Sequence, residues 1–157
     1  MVKINLVVVG KVKEKYFAEG ISEYSKRLSR FAEFKIIEVQ EENFNKVDDG
    51  LITQILEKEA ERIKPHLKGH VIALAIEGKK FSSENFAKNL GNLMDNGQGV
   101  ITFVIGGSYG IHKDIKQRAN GLMSFSDMTF PHTLFRLMLT EQIYRAFCIL
   151  NGSAYHK

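Results

Sequence analysis

Val100–Gly110 reads VITFVIGGSYG, and Gly121–Leu150 reads GLMSFSDMTFPHTLFRLMLTEQIYRAFCIL. The run VITFVI is too short for a helix, is rich in β-branched residues and stops at two glycines. Such a run reads as a strand buried on both faces. LMSF in the second stretch is a further apolar run, followed by the loop SDMTFPH and a long helical pattern. Two strands of this kind put Gly106–Gly110 and Ser126–His132 at strand carboxyl ends. In open α/β sheets that is the edge where ligands bind.

Upstream, strand and helix patterns alternate. Ile4–Val9 is a buried strand ending at Gly10. From Lys13 to Phe31 the apolar positions Phe17, Ile21, Tyr24, Leu28 and Phe31 recur at intervals of three and four, predicting an amphipathic helix. Its polar side carries Lys13, Lys15, Lys26, Arg27 and Arg30, either a solvated face or a nucleic-acid contact. Phe34–Val39 predicts a second strand, and the acidic, non-periodic Gln40–Gly50 a loop. Ile52, Ile55, Leu56, Ala60 and Ile63 mark a second helix, stopped near Pro65. Val71–Ile76 predicts a third strand with Glu77–Lys80 as its turn. Ser82 is positioned as N-cap of a third helix ending at Asn96-Gly97. The alternation implies one α/β domain over residues 1–157, a mostly parallel sheet flanked by helices on both faces.

Composition agrees with a single domain large enough to bury a core without staples. Of 157 residues 44% are hydrophobic and 25% charged, ordinary globular usage. The single Cys148 lies in an apolar helix and has no intrachain partner, which fits a reducing, cytoplasmic setting. No signal-peptide pattern or membrane-length apolar run is present, so no membrane association is expected. The net charge of +4 permits an anionic partner without demanding one. No C-x-x-C or H-E-x-x-H occurs and the histidines are scattered, so no metal site is expected.

The last helix pattern is apolar almost all round, which requires burial on more than one side. One side is expected to cover the sheet and another to meet a second copy in a homodimer. The glycine stretch lacks both the P-loop ending and the G-x-G-x-x-G spacing, so a tight turn and a ligand loop stand about equal. Ser108, His132 and Asp127 provide the residue types of a Ser-His-Asp triad, but G-x-S-x-G is absent.

Taken together, VIGGSYGIHKDIKQRA (Val104–Ala119), SFSDMTFPHTLFRLMLTEQIYRA (Ser124–Ala146), the closing AYHK and L-x-I-x-G-K (Leu74–Lys79) closely resemble the SPOUT-class ribosomal RNA methyltransferases that modify N3 of a pseudouridine in bacterial 23S rRNA. The resemblance runs from V-x-x-G-K (Val7–Lys11) to the final Tyr-His-Lys. F-P-H-x-x-x-R-x-x-x-x-E-Q-x-Y-R-A is its most specific part. It implies an S-adenosyl-L-methionine cofactor, a homodimer and a deep carboxyl-terminal trefoil knot. Connection rules alone argue against a knot.

The resemblance also places the cofactor pocket on Leu74, on Gly106 and on the loop Phe125, Ser126, Asp127, Met128, Thr129 and Phe130. Adenine needs an apolar slot with backbone hydrogen bonds, and a missing side chain at Gly106 is expected to let ribose or methionine approach the main chain. His132 and Arg136 lie one turn apart at the start of the last helix, as helix-end hydrogen bonds or as substrate and phosphate contacts. An imide nitrogen must lose its proton before or during methyl transfer. The resemblance gives that centre to Tyr155 and His156, with Lys157 toward ribosomal RNA, and the basic face of the first helix adds Lys26 and Arg27 as contacts to the assembled ribosome. A non-catalytic nucleotide- or RNA-binding α/β module is the alternative.

Overall fold

The computed structural model describes residues 1–157. It contains five strands, β1 (Lys3–Val9), β2 (Glu33–Val39), β3 (His70–Lys80), β4 (Val100–Ile105) and β5 (Gly121–Ser124). The helices are α1 (Lys15–Leu28), α2 (Asp49–Ile63), α3 (Ser83–Asp95), α4 (Lys113–Arg118) and α5 (His132–Leu150). All strand pairs are parallel and the order is β2-β1-β4-β3-β5.

The central strands are buried on both faces because consecutive side chains point to opposite sides of the sheet. Ile4, Leu6 and Val8 enter a core with α1, α3 and α5. Val7 and Val9 enter the opposite core with α2 and α4. Phe103 and Val104 of β4 divide between the two cores in the same way, both fully buried. Removing any one of these side chains costs about 2–5 kcal/mol in a close-packed interior.

Helix ends follow their capping chemistry. Ser82 accepts a hydrogen bond from the Asn85 N–H at 3.1 Å and starts α3. Asp48 accepts from the Leu51 N–H at 2.8 Å, so α2 begins inside the segment expected to be loop. The side-chain oxygen satisfies a backbone donor that the first helical turn leaves free.

Two expectations change. The segment Glu77–Lys80 is not a turn but the far half of β3. Leu74 and Lys79 both align with Met123 of β5, so four residues of β3 arch out between two stretches of pairing. Gly78 permits the close return: a Cβ there would lie 2.6 Å from the backbone of Leu122 and Met123. The second change concerns α5, whose flanks expected to meet a second copy are largely covered within the chain. α5 runs between α1 and α3, with Leu139, Ile143, Ala146 and Phe147 in the core. Leu137 packs close over Gly20 of α1 and Leu150 over Gly91 of α3. Phe31 stacks on Phe147 with ring centroids 5.7 Å apart. Nearly all-round apolarity is therefore met mostly by sheet and neighbouring helices.

Candidate functional site

The carboxyl ends of β3, β4 and β5 open into a cleft of about 630 Å³. Its floor is Leu74, Ile105 and Met123, the last residues of their strands to remain in the core. The arch Ala75–Ile76 forms one wall, Gly106–Ile111 another, and Phe125–His132 the third. The volume falls within the range for pockets that enclose small organic ligands.

The glycine wall is a tight turn. The Gly110 N–H donates to the Gly107 carbonyl at 3.1 Å. A Cβ on Gly106 would sit 2.2 Å from the Gly110 carbonyl oxygen. Gly106 thus lets the turn fold back on its own strand while lining the cleft. Beneath the turn lies Glu59 of α2, 3% exposed, accepting a hydrogen bond from the Glu42 N–H at 3.2 Å. Burial pushes its carboxyl above the ordinary range, opposed by that hydrogen bond and reinforced by the charge on Glu41. Spacing alone marks this residue: Glu59 falls midway between Ile55 and Ile63 on the buried face of α2.

The third wall is organised by serine hydroxyls. The Ser126 N–H donates to Ser124 Oγ at 3.3 Å, and the Met128 N–H donates to Ser126 Oγ at 2.8 Å. These local bonds hold an irregular loop without secondary structure. Phe125 packs on Phe135 with centroids 4.6 Å apart, and Phe130 meets Phe135 edge-on at 6.0 Å. Phe135, absent from the expected site, therefore braces the loop from α5. Met128 stands 74% exposed at the mouth.

Leu74, Gly106, Phe125, Ser126, Met128, Thr129, Phe130 and His132 all line this cleft. Asp127 does not. Its carboxylate is exposed and pairs with Lys80 at 2.6 Å. With Ser108 Oγ against Glu41 Oε1 at 3.5 Å, no Ser-His-Asp arrangement forms. His132 is half-buried, and burial lowers its pKa, opposed by Glu41 and assisted by Arg136. It is uncharged at neutral pH, which suits a cleft receiving a positively charged ligand.

Arg136 is turned away from the cleft and is 2% exposed. Its Nη1 pairs with Glu38 Oε2 at 2.6 Å and its Nη2 donates to the Gly10 carbonyl at 3.1 Å. Within this chain both terminal nitrogens, expected to contact substrate or phosphate, instead tie α5 to the ends of β1 and β2. On α1, Lys26 is exposed, whereas Arg27 pairs with Glu23 at 2.9 Å and lies over the rings of Tyr24 and Tyr144.

Tyr155 and His156 are also outside this cleft. The Tyr155 hydroxyl donates to Glu141 Oε1 at 3.0 Å, and its ring packs on Tyr144 at 4.9 Å. Burial first, then hydrogen bonds with Tyr24 and Glu141, push its pKa far up, so the phenol stays protonated. Arg145 stacks over the Tyr155 ring and its Nη1 reaches His156 Nδ1 at 3.1 Å. His156 Nε2 reaches Glu84 Oε1 at 2.7 Å. The terminal residues are docked on α5 and α3, not frayed. Lys157 is exposed.

Beside the cleft, and sharing Met123, Ser124, Phe125 and Phe130 with it, is a second cavity of about 480 Å³. Tyr24, Phe81, Leu137, Met138, Glu141 and Gln142 complete it. No group of three or more histidine, cysteine or acidic side chains is placed to hold a metal ion, and no helix is long and apolar enough to cross a membrane.

Parallel sheet, strand-end cleft and serine-braced loop define an α/β protein built to take a small organic ligand at its carboxyl edge. The sequence profile described as "Predicted SPOUT methyltransferase" matches residues 2–156. The chain is 52% identical over 158 aligned positions to "Ribosomal RNA large subunit methyltransferase H" of Streptococcus uberis, covering 99% of each. It is also 52% identical to the protein of that name from Leuconostoc mesenteroides, covering 98% of this chain and 99% of the other. A probable methyltransferase from Bordetella pertussis shares the fold, with a TM-score of 0.56 at 12% identity over 92% of this chain and 96% of that one. The chain belongs to the SPOUT methyltransferase family.

Proposed function

We propose that this protein is an S-adenosylmethionine-dependent methyltransferase of large-subunit ribosomal RNA, acting on N3 of a pseudouridine in 23S rRNA on assembled ribosomes in the bacterial cytoplasm. The cleft at the ends of β3, β4 and β5 is the observation that carries this reading. Its size, apolar floor and exposed loop backbone suit adenosine and a methionine chain. Leu74 and Ile105 offer the apolar slot, and the backbone of residues 125–130 offers hydrogen bonds to the adenine edge. Uncharged His132 adds no repulsion toward a sulfonium. When bound, the cofactor supplies a methyl group on a positively charged sulfur.

The target nitrogen needs groups that manage its proton and hold it in line. Tyr155 and His156 are proposed for that centre. Because they lie outside the cleft of their own chain, the reading needs a second copy to bring them to it. A homodimer is supported by the second cavity, whose Tyr24, Phe81, Leu137 and Met138 leave an apolar wall open beside the cofactor cleft. The trefoil knot belongs to the same proposal, supported by the arch in β3 and the close pass of Gly78 along β5. Exposed Lys26 and Lys157, with Arg27 next to Lys26 on α1, are proposed to meet RNA phosphates, which position a substrate without specifying it.

The test is methyl transfer to ribosomes from cells lacking this enzyme, read by mass spectrometry at the pseudouridine. Methylation that disappears when residues 154–157 are removed, with cofactor affinity retained, is the expected result. Tight cofactor binding without any transfer to ribosomal RNA refutes the substrate. A monomer by sedimentation with full activity refutes the dimer.

A further inference from the structure

His156 lies between two partners of opposite kind. An arginine guanidinium only donates hydrogen bonds, and an ionised carboxylate only accepts them. Arg145 Nη1 at 3.1 Å therefore makes Nδ1 of His156 the acceptor, and Glu84 Oε1 at 2.7 Å makes Nε2 the donor. Only the neutral imidazole with its proton on Nε2 satisfies both contacts. A second proton on Nδ1 would face the guanidinium directly.

Arg145 is itself held. Its Nη2 pairs with Glu141 one turn earlier on α5, and its plane lies 4.8 Å from the Tyr155 ring centroid. The titratable and charged groups around His156 are thus Arg145 and Glu141 on α5, Glu84 on α3, Tyr155 beside it and, through Tyr155, Tyr24 on α1. Glu84 is the solvent-exposed member, with 64% of its side chain exposed. The His156 N–H holds the Glu84 carboxyl below the ordinary range, as expected for an N–H aimed at a full negative charge.

We propose that Arg145 is a positioning residue that fixes the tautomer of His156, so that His156 presents Nε2–H as a hydrogen-bond donor to the anionic imide of the substrate and does not serve as its base. The inference rests on the methyltransferase reading above. In the reaction the N3 proton passes to solvent hydroxide, forming water. The lone pair left on N3 bonds to the methyl carbon, and the carbon–sulfur pair stays on sulfur, so the negative imide and positive sulfur neutralise each other. Glu84, already accepting from Nε2–H, marks the place where an anionic acceptor is held, and the imide replaces it there. A donor aimed at charge present in the transition state is a large catalytic contribution.

The experiment combines 15N NMR of the His156 ring with single-turnover methyl transfer to ribosomes between pH 6 and 9. The wild-type ring is expected to show protonated Nε2 and bare Nδ1 at pH 7.5. Its single-turnover rate should keep rising through the alkaline range, because imide ionisation controls it. A histidine base would instead level off once its own ring is neutral. Arg145→Met should give a mixture of tautomers and lower the single-turnover rate about tenfold or more, with cofactor Kd held within about twofold. Arg145→Lys, which keeps a cationic donor, should recover most of the rate and the single tautomer.

A wild-type ring protonated at Nδ1, or a rate that levels off near neutrality, overturns the proposal. So does Arg145→Met slowing turnover with the tautomer unchanged, which is mere bracing of the tail. If Arg145→Met does not fold, the wild-type spectrum, the wild-type profile and Arg145→Lys decide. A wild-type protein that binds cofactor but transfers no methyl overturns the enzyme reading and the donor role together. The ring spectrum then still reports whether Arg145 sets the tautomer.

Discussion

Gly106→Ala is expected to loosen the turn that walls the cofactor cleft and to cost stability and affinity together. The added Cβ would lie 2.2 Å from the Gly110 carbonyl oxygen and 2.5 Å from its carbon, against an ordinary contact of 3.4 Å or more. The turn must therefore give by about 1.2 Å (3.4 − 2.2) at its tightest point. It has little slack, since Ile111, 2.7 Å from the same position at Cγ1, is buried. Overpacking of this kind costs about 1–3 kcal/mol. For a chain of this length that lowers Tm by about 2–12 °C. Displacing a cleft wall should also weaken cofactor affinity measurably. Scanning calorimetry and titration with S-adenosylmethionine measure both. Gly107→Ala is the control: its Cβ meets Val9 at 3.1 Å and Glu59 at 3.3 Å, contacts relieved by a few tenths of an ångström, so its effect should be clearly smaller. Wild-type Tm and affinity in Gly106→Ala refute the role given to this glycine. Lost affinity at unchanged Tm shows that the side chain meets ligand space instead of the turn.

Glu59→Gln should raise Tm at pH 7.5. Burial lifts the folded-state pKa of Glu59 above 4.5, so ionising it costs the folded state stability as pH rises through and above that value. The gain should shrink as pH falls toward 4.5, and an unchanged or lower Tm at pH 7.5 refutes this account. His70 and His132 have the opposite sense: burial lowers both below 6.5, so the unfolded chain binds protons more readily and stability falls as pH drops below 6.5. Replacing both with asparagine should flatten Tm between pH 6.5 and 5, and an unaltered slope counts against it. Glu38→Leu strands the Arg136 charge with only the Gly10 carbonyl and should cost about 2 kcal/mol in urea unfolding, less than for a fully buried pair because Glu38 is partly exposed. Adding Arg136→Met should return part of that loss; additive losses refute the coupling.

The alternation of short β-branched runs with amphipathic spacing was enough for a parallel α/β sheet, because period two and period 3.6 report which side chains of one segment share a face. VITFVI followed by two glycines located the strand end where the cleft opens, and seven of the eight residues expected from sequence to hold cofactor line that cleft. The resemblance of its motifs supplied the family, which spacing alone does not contain. Only the tertiary structure decided who meets whom across long separations. EGKK looks like a turn, yet its two lysines return to the strand because β5 lies alongside them, more than forty residues later in the chain. Arg136 sits in a motif beside the cleft, but Glu38 and Gly10, about a hundred residues earlier, draw it to the other side of α5. One apolar flank of α5 was assigned to the sheet and another to a second copy because periodicity counts buried flanks without naming what covers them. α1 and α3 cover most of the apolar circumference. The tautomer of His156 likewise depends on Arg145 and Glu84, a helix end and a helix start that no local pattern connects. Local sequence sets backbone geometry and amphipathic faces; pairing register, charge partners and proton positions are set by contacts that exist only once the chain has closed on itself.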